Sequence, residues 1–218
     1  KGQIIFEKSY GFAQLEPLVP LNTHTMFELA SVSKQFTAMG IVQLQKQGKL
    51  QYADLLSQYI PELSFYKEVT VRQLLQHTSG LPDYMELMEL HWDKSKIAVN
   101  ADVVALLAQK QPALLFTPNS QFEYGNTNYA LLASIIEKVS KQSYGDYLQQ
   151  VIFKPLQMTR TMVYRSRFAP QNIDNYAKGY EVGMNGAPML PDALGTAYYT
   201  HYLDGIVGDG MVNSTLQD

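Results

Sequence analysis

Between about Asp54 and Met162 apolar residues return at helical spacing, and the helix starts are marked by side chains able to satisfy the first free backbone N–H groups. Thr70-Val71-Arg72-Gln73 matches a capping box ahead of a short leucine-rich helix ending near His77. Asn100 is expected to cap the next helix, Thr127 or Asn128 precedes the periodic run Tyr129 to Val139, and Ser143-Tyr144-Gly145-Asp146 is another box-like start. Upstream, a helix is predicted from about Val32 to Gln47 with Gly48 as its stop. From Phe36 to Leu44 it carries apolar or small residues on nearly every side, which predicts a helix at the centre of a domain and not on its rim. Before it, Gln3–Phe6 and Tyr10–Ala13 read as two short strands punctuated by Gly2 and Gly11. After Tyr164 the texture turns to Gly, Pro, Asn and Tyr, with weak strand signals near Asn175 to Val182, which predicts loop and edge strand. No repeat or low-complexity linker divides the chain, so one domain with a helical insertion is expected.

Composition narrows the partners. With 46% hydrophobic residues in 218, the chain has apolar material for one substantial core. A net charge of -3 with only 17 Lys+Arg offers no basic stripe for phosphates, so nucleic acid is not an expected partner. There are no cysteines, which excludes disulfides, thiolate metal sites and a thiol nucleophile. His24, His91 and His201 lack metal-like spacing, and neither a metal nor an organic cofactor is expected. No apolar run approaches the roughly 18 to 20 residues that cross a bilayer. The first residue is Lys1, with no charged-then-apolar leader before it, so a leading segment is expected to be absent from this chain.

The chemistry centres on serine and lysine. A serine nucleophile needs a base, and a lysine three positions later on a helix lies on the same face within reach. Ser31-Val32-Ser33-Lys34 meets this requirement at the first turn of the predicted helix, where backbone N–H groups and the positive dipole end favour an oxyanion. The motif alone is weak, since about one Ser-x-x-Lys is expected by chance in a chain of this length. Ser64-Phe65-Tyr66-Lys67 is a second, placed in a connection that reads as surface loop. A Ser-His reading through His77, with Ser79 or Ser31, is disfavoured because no G-x-S-x-G elbow is present. Tyr124-Gly125-Asn126 by itself reads as a turn before a helix.

The order of the motifs separates Ser31 from Ser64. Phe27 to Gly40 (FELASVSKQFTAMG) closely resembles the active-site helix of the β-lactamase and penicillin-binding-protein superfamily. Further matches follow in order: Gly48-Lys49-Leu50 with Tyr59-Ile60-Pro61-Glu62, then Val71 to Pro82 (VRQLLQHTSGLP), then Phe122 to Asn126 (FEYGN), then Ile152 to Met158 (IFKPLQM), where Gln157 stands in place of the usual glycine. The Tyr-x-Asn form of the second motif is similar to the branch of class C β-lactamases, D-Ala-D-Ala carboxypeptidases and esterases.

The resemblance implies an α/β (α+β) fold of the β-lactamase/transpeptidase type, with an antiparallel sheet flanked by helices and a mostly helical subdomain at about 54–165. It implies Ser31 as acylated nucleophile, Lys34 and Tyr124 as the groups that move its proton, and Asn126 as a group that holds Lys34 and binds substrate. Asp83 and Tyr84, just past the His-Thr-Ser-Gly turn, correspond to a loop bordering the substrate cleft. The implied substrate is a small molecule or peptide-like amide or ester, and the implied location is the cell envelope, periplasm or exterior. A non-hydrolytic penicillin-binding or scaffold role is the alternative. Neither Lys-Thr-Gly nor His-x-Gly, the superfamily's third motif, occurs in the sequence. Residues 1–53 and 166–218 are therefore expected to form an incomplete sheet, and 1–218 a partial single catalytic domain.

Overall fold

The computed structural model describes residues 3–184 and 186–218. The chain forms an antiparallel hairpin from β1 (Phe12–Leu15) and β2 (Leu18–Pro20), then β3 (Phe27–Glu28), and passes through a 3-10 turn at Ala30–Ser33 into α1 (Lys34–Lys46). Both strands expected before that helix need correction. Gln3–Phe6 forms no strand, with Ile4, Ile5 and Phe6 exposed, and the Tyr10–Ala13 strand begins two residues later than expected. Strand propensity is realised only where an edge accepts the ladder, and the edge that β1 meets is β2. Gly2, named as punctuation, lies outside the described residues.

The middle of the chain is helical: α2 (Leu56–Tyr59), α3 (Val71–Gln76), α4 (Tyr84–His91), α5 (Asn100–Lys110), α6 (Asn126–Ser140) and α7 (Tyr144–Leu148), the last running on as a π-helical turn to Phe153. The rest is β4 (Met162–Val163), β5 (Glu181–Val182), β6 (Pro188–Met189), α8 (Tyr199–Tyr202) and β7 (Val212–Ser214). β7 is the middle strand of an antiparallel sheet in the order β3-β7-β4, with Phe27 opposite Ser214 and Met162 opposite Asn213. Among the described residues, no helix is long and apolar enough to cross a membrane.

The caps follow local chemistry with one exception. Thr70 accepts the Gln73 N–H while the Gln73 side chain accepts the Thr70 N–H, and Ser143 accepts the Asp146 N–H. Asn100, expected as a cap, is instead the first residue of α5. Asp102 accepts the Val99 N–H, which frees the buried Asn100 amide to bond Ala130 O and both the N–H and carbonyl of Val207. α6 also starts earlier than its periodicity suggests, at Asn126.

Centrality belongs to α6 and not to α1. Every residue from Thr127 to Ile136 is buried. α1 packs on it with Lys34, Thr37, Gly40, Ile41 and Leu44 buried, but Met39 remains exposed on its other side. Ile41, Leu44, Leu131, Leu132, Ile135, Ile136, Leu148 and Phe153 belong to the joint core.

Across the start of α1 lies the segment 208–212, fastened by polar bonds. Gly208 O accepts the Thr37 hydroxyl at 2.6 Å, Val212 N–H donates to Ser33 Oγ at 3.0 Å, and Val212 O accepts Leu29 N–H at 2.9 Å. Gly208 has φ +105 and lies so near α6 that a Cβ there would meet Tyr129 O at 2.3 Å and Ala133 Cβ at 2.6 Å. Only glycine fits without strain or displacement of α6. Gly208→Ala is expected to cost about 3 kcal/mol from strain and overpacking together. Thr70→Ala, which removes one cap, is expected to cost about 1 kcal/mol. Chemical denaturation of both variants checks the order; equal losses would mean that the strap does not depend on its glycine.

Candidate active site

Ser31 stands in the 3-10 turn that opens onto α1, after Ala30, whose φ of 45 is left-handed and unusual for a residue with a Cβ. The turn leaves Ser31 exposed while Lys34, one turn on, is only 6% exposed. The Lys34 ammonium donates to Ser31 Oγ at 3.2 Å, Asn126 Oδ1 at 2.9 Å and Asp209 O at 2.9 Å. Three N–H bonds meet three acceptors, drawn from the 3-10 turn before α1, the start of α6 and the 208–212 strap.

Tyr124 and Asn126 flank Gly125 at the start of α6, so the turn expected from the sequence points two neighbouring side chains at the same lysine. The Tyr124 hydroxyl donates to Ser31 Oγ at 2.8 Å, and Lys34 Nζ lies 4.8 Å from the centre of the Tyr124 ring. That ring stacks on His77 at 4.7 Å, and His77 stacks on Tyr129 at 5.0 Å. His77 Nδ1 accepts the Gly125 N–H at 3.2 Å. Burial first, and the Lys34 charge second, push the imidazole below the usual histidine range, which suits it to accept that bond as a neutral ring. His77 thus supports the Tyr124 turn from beneath, while Ser79 Oγ donates to Asn128 Oδ1. Ser64 lies exposed at the end of the Pro61–Leu63 turn, with Lys67 also exposed.

Of Asp83 and Tyr84, expected at the border of the substrate cleft, Tyr84 lies in the cleft wall, and both are hydrogen-bonded within the protein. Asp83 caps α4 through the Met85 N–H, and its other oxygen accepts both the N–H and the side-chain amide of Asn126. Tyr84 is 4% exposed and its hydroxyl donates to Asp209 Oδ2 at 2.8 Å. The polar atoms of both residues are committed to the protein because α4 packs directly behind the site. Asp209 escaped the sequence reading; its signal is an acid between two glycines, Gly208 and Gly210. The residue is half-buried in the cleft wall, and desolvation of its carboxyl, partly offset by Lys34 and the Tyr84 hydrogen bond, raises it to about 6.

Ser31 and Asn126 open onto a cleft of about 800 Å³ whose walls include Met85, Tyr164, Tyr176 and Met211. An acyl group can lie there within reach of a serine flanked by an amine and a phenol.

Comparison with known proteins gives the family and the fold. The family model Beta-lactamase matches residues 1–218. The chain is 46% identical to penicillin-binding protein 4* of Bacillus subtilis (strain 168) over all 218 residues, which cover 48% of that protein. The chain thus spans about half the length of this curated relative. A penicillin binding protein from Bacillus halodurans superposes with a TM-score of 0.83 at 29% identity, over 99% of this chain and 63% of the other. The D-amino acid amidase of Ochrobactrum anthropi SV3 gives a TM-score of 0.75 at 29% identity, over 94% of this chain and 56% of the other. A match along the whole chain, with the β-lactamase/transpeptidase-like fold that goes with it, shows that this chain belongs to the beta-lactamase family.

Proposed function

We propose that the chain carries the acylation centre of a serine hydrolase acting on amide or ester carbonyls, with Ser31 as nucleophile. The observation that supports this most is the setting of Lys34. As a neutral amine it has two N–H bonds and one lone pair. If Asn126 Oδ1 and Asp209 O, each at 2.9 Å, keep the two N–H bonds, the lone pair faces Ser31 Oγ at 3.2 Å. A base held so that its free electron pair meets the nucleophile's proton is what general-base catalysis needs.

Ser31 Oγ attacks the carbonyl carbon as its proton passes to Lys34. The oxyanion forms near the Ser31 backbone N–H, which supplies one donor of an oxyanion hole. Tyr124, hydrogen-bonded to the same oxygen, relays a proton to the leaving amine or alkoxide, and the acyl-enzyme remains. Water then attacks with the proton path reversed. Asn126 holds Lys34 and is the substrate-facing amide at the cleft; Asp83 acts behind it by fixing that amide.

The Tyr-x-Asn motif and the penicillin-binding relative support a peptide-like or β-lactam substrate. The amidase neighbour supports amides more broadly, and carboxylesters need no different machinery. The same relatives support a location at the cell envelope or outside it. A member that acylates without turnover is the second reading, supported by the word "penicillin-binding" in its relatives' names.

A fluorescent penicillin or an activated phosphonate is expected to label the Ser31 peptide of the full-length protein, and Ser31→Ala to abolish the label. Label at Ser64, or none, would overturn the proposal. Lys34→Ala is expected to slow acylation by roughly 10²–10⁴, the range for a positioned base. An unchanged rate would give that role to another group. Burst kinetics with an ester substrate separate turnover from acylation alone: a burst followed by steady release marks a hydrolase, and a burst without release marks a penicillin-binding member.

A further inference from the structure

Asp209 is a half-buried acid in the cleft wall that the mechanism above uses only through its backbone carbonyl. Among the described residues its carboxylate has no cation bonded to it. Oδ2 accepts from the Tyr84 hydroxyl, and the residue's own backbone N–H bonds its side chain. The charged and titratable groups that face it come from each element around it: Lys34 on α1, Asp83 and Tyr84 at the start of α4, and Tyr144 on α7. Of these only Lys34 brings positive charge. A partly desolvated carboxylate without a bonded cation is a poor stabiliser, because the desolvation of the anion opposes folding. Its place beside the one buried ammonium of the site calls for another explanation.

We propose that Asp209 is a positioning residue for acyl transfer: its carbonyl aligns Lys34, and its carboxylate, held by Tyr84, sets the charge against which Lys34 gains and loses the Ser31 proton. The geometry supports both halves. The carbonyl and the carboxyl belong to one residue on a strap pinned at Gly208 O by Thr37 and at Val212 by Ser33. The strap fixes the carbonyl, and the Tyr84 hydroxyl and the residue's own N–H hold the carboxylate. The anion favours the ammonium and so restrains Lys34 as a base, but it also stabilises the ammonium that forms as Ser31 attacks. Protonation of Asp209, or its loss, removes both effects. The inference rests on the reading of Ser31 as the acylated residue.

The folded-state value of Asp209, about 6, lies above the 3.8 of an unperturbed carboxyl. Protonation therefore favours the fold. This contribution is complete below the unfolded value and is lost as pH rises through about 6.

The test uses the full-length protein, with acylation of Ser31 by a fluorescent penicillin measured across about pH 5–9. Asp209→Asn keeps the shape and an acceptor for Tyr84 but removes the charge. Its acidic limb is expected to move to lower pH, the direction for loss of an opposite charge. Tyr84→Phe leaves the carboxylate without its donor, which favours the protonated form, and is expected to move the limb in the same direction by less. Asp209→Asn is also expected to melt above the wild type at neutral pH, with the gap closing as pH falls to about 4, where the wild-type carboxyl is protonated. A side chain with only a structural hydrogen bond would instead give a loss of stability at every pH. Profiles for both variants that superimpose on the wild type, with Ser31 still labelled, would overturn the inference and leave the proposed function intact. No label on Ser31 in the wild type would overturn both. If Asp209→Asn does not fold, the profile of Tyr84→Phe decides.

Discussion

An ammonium buried in a protein is tolerated only when each of its protons meets an acceptor, and Lys34 meets three: Ser31 Oγ, Asn126 Oδ1 and Asp209 O. Those acceptors come from three separate parts of the chain. The 3-10 turn, the start of α6 and the 208–212 strap must all be in place before the lysine is satisfied. The reverse also holds, since a displaced lysine leaves Asn126 and the strap without a common partner. Much of the local architecture serves this one coordination, from Gly208 against α6 to the Ser33 hydroxyl on Val212 N–H.

Behind the acceptors stands a second layer that holds them. Asp83 fixes Asn126 through two hydrogen bonds, Tyr84 fixes the Asp209 carboxylate, and His77 supports the Tyr124 turn through Gly125 N–H and ring stacking. The His-Thr-Ser-Gly turn and the residues just after it are therefore the frame of the site. Their chemistry looks catalytic in a sequence because histidine, serine and aspartate are also the groups of proton transfer. In the fold their polar atoms are used internally, which leaves Ser31 and Asn126 at the cleft and the Tyr124 hydroxyl on Ser31 Oγ.

How much was legible depended on the range of the interaction. The caps at Thr70 and Ser143 were legible because a cap is a bond between residues three apart. So was the end of α1, where Gly48 takes φ +68. The Gln3–Phe6 strand and the Asn100 cap were misread because each depends on a partner far along the chain: a paired edge in the first case, Ala130 and Val207 in the second.

The same distinction runs through the site. The sequence by itself determined that Ser31 and Lys34 share a helical face, and the order of its motifs chose that pair over Ser64 and Lys67, because spacing along a helix is a local property. Only the tertiary structure decided what surrounds Lys34, and it did so across separations of 92 residues to Asn126 and 175 to Asp209. Sequence spacing carries no geometry at that distance. Packing α6 and the strap against α1 turned an aspartate between two glycines into a neighbour of the lysine, and gave Asp83 and Tyr84 hydrogen bonds to Asn126 and Asp209.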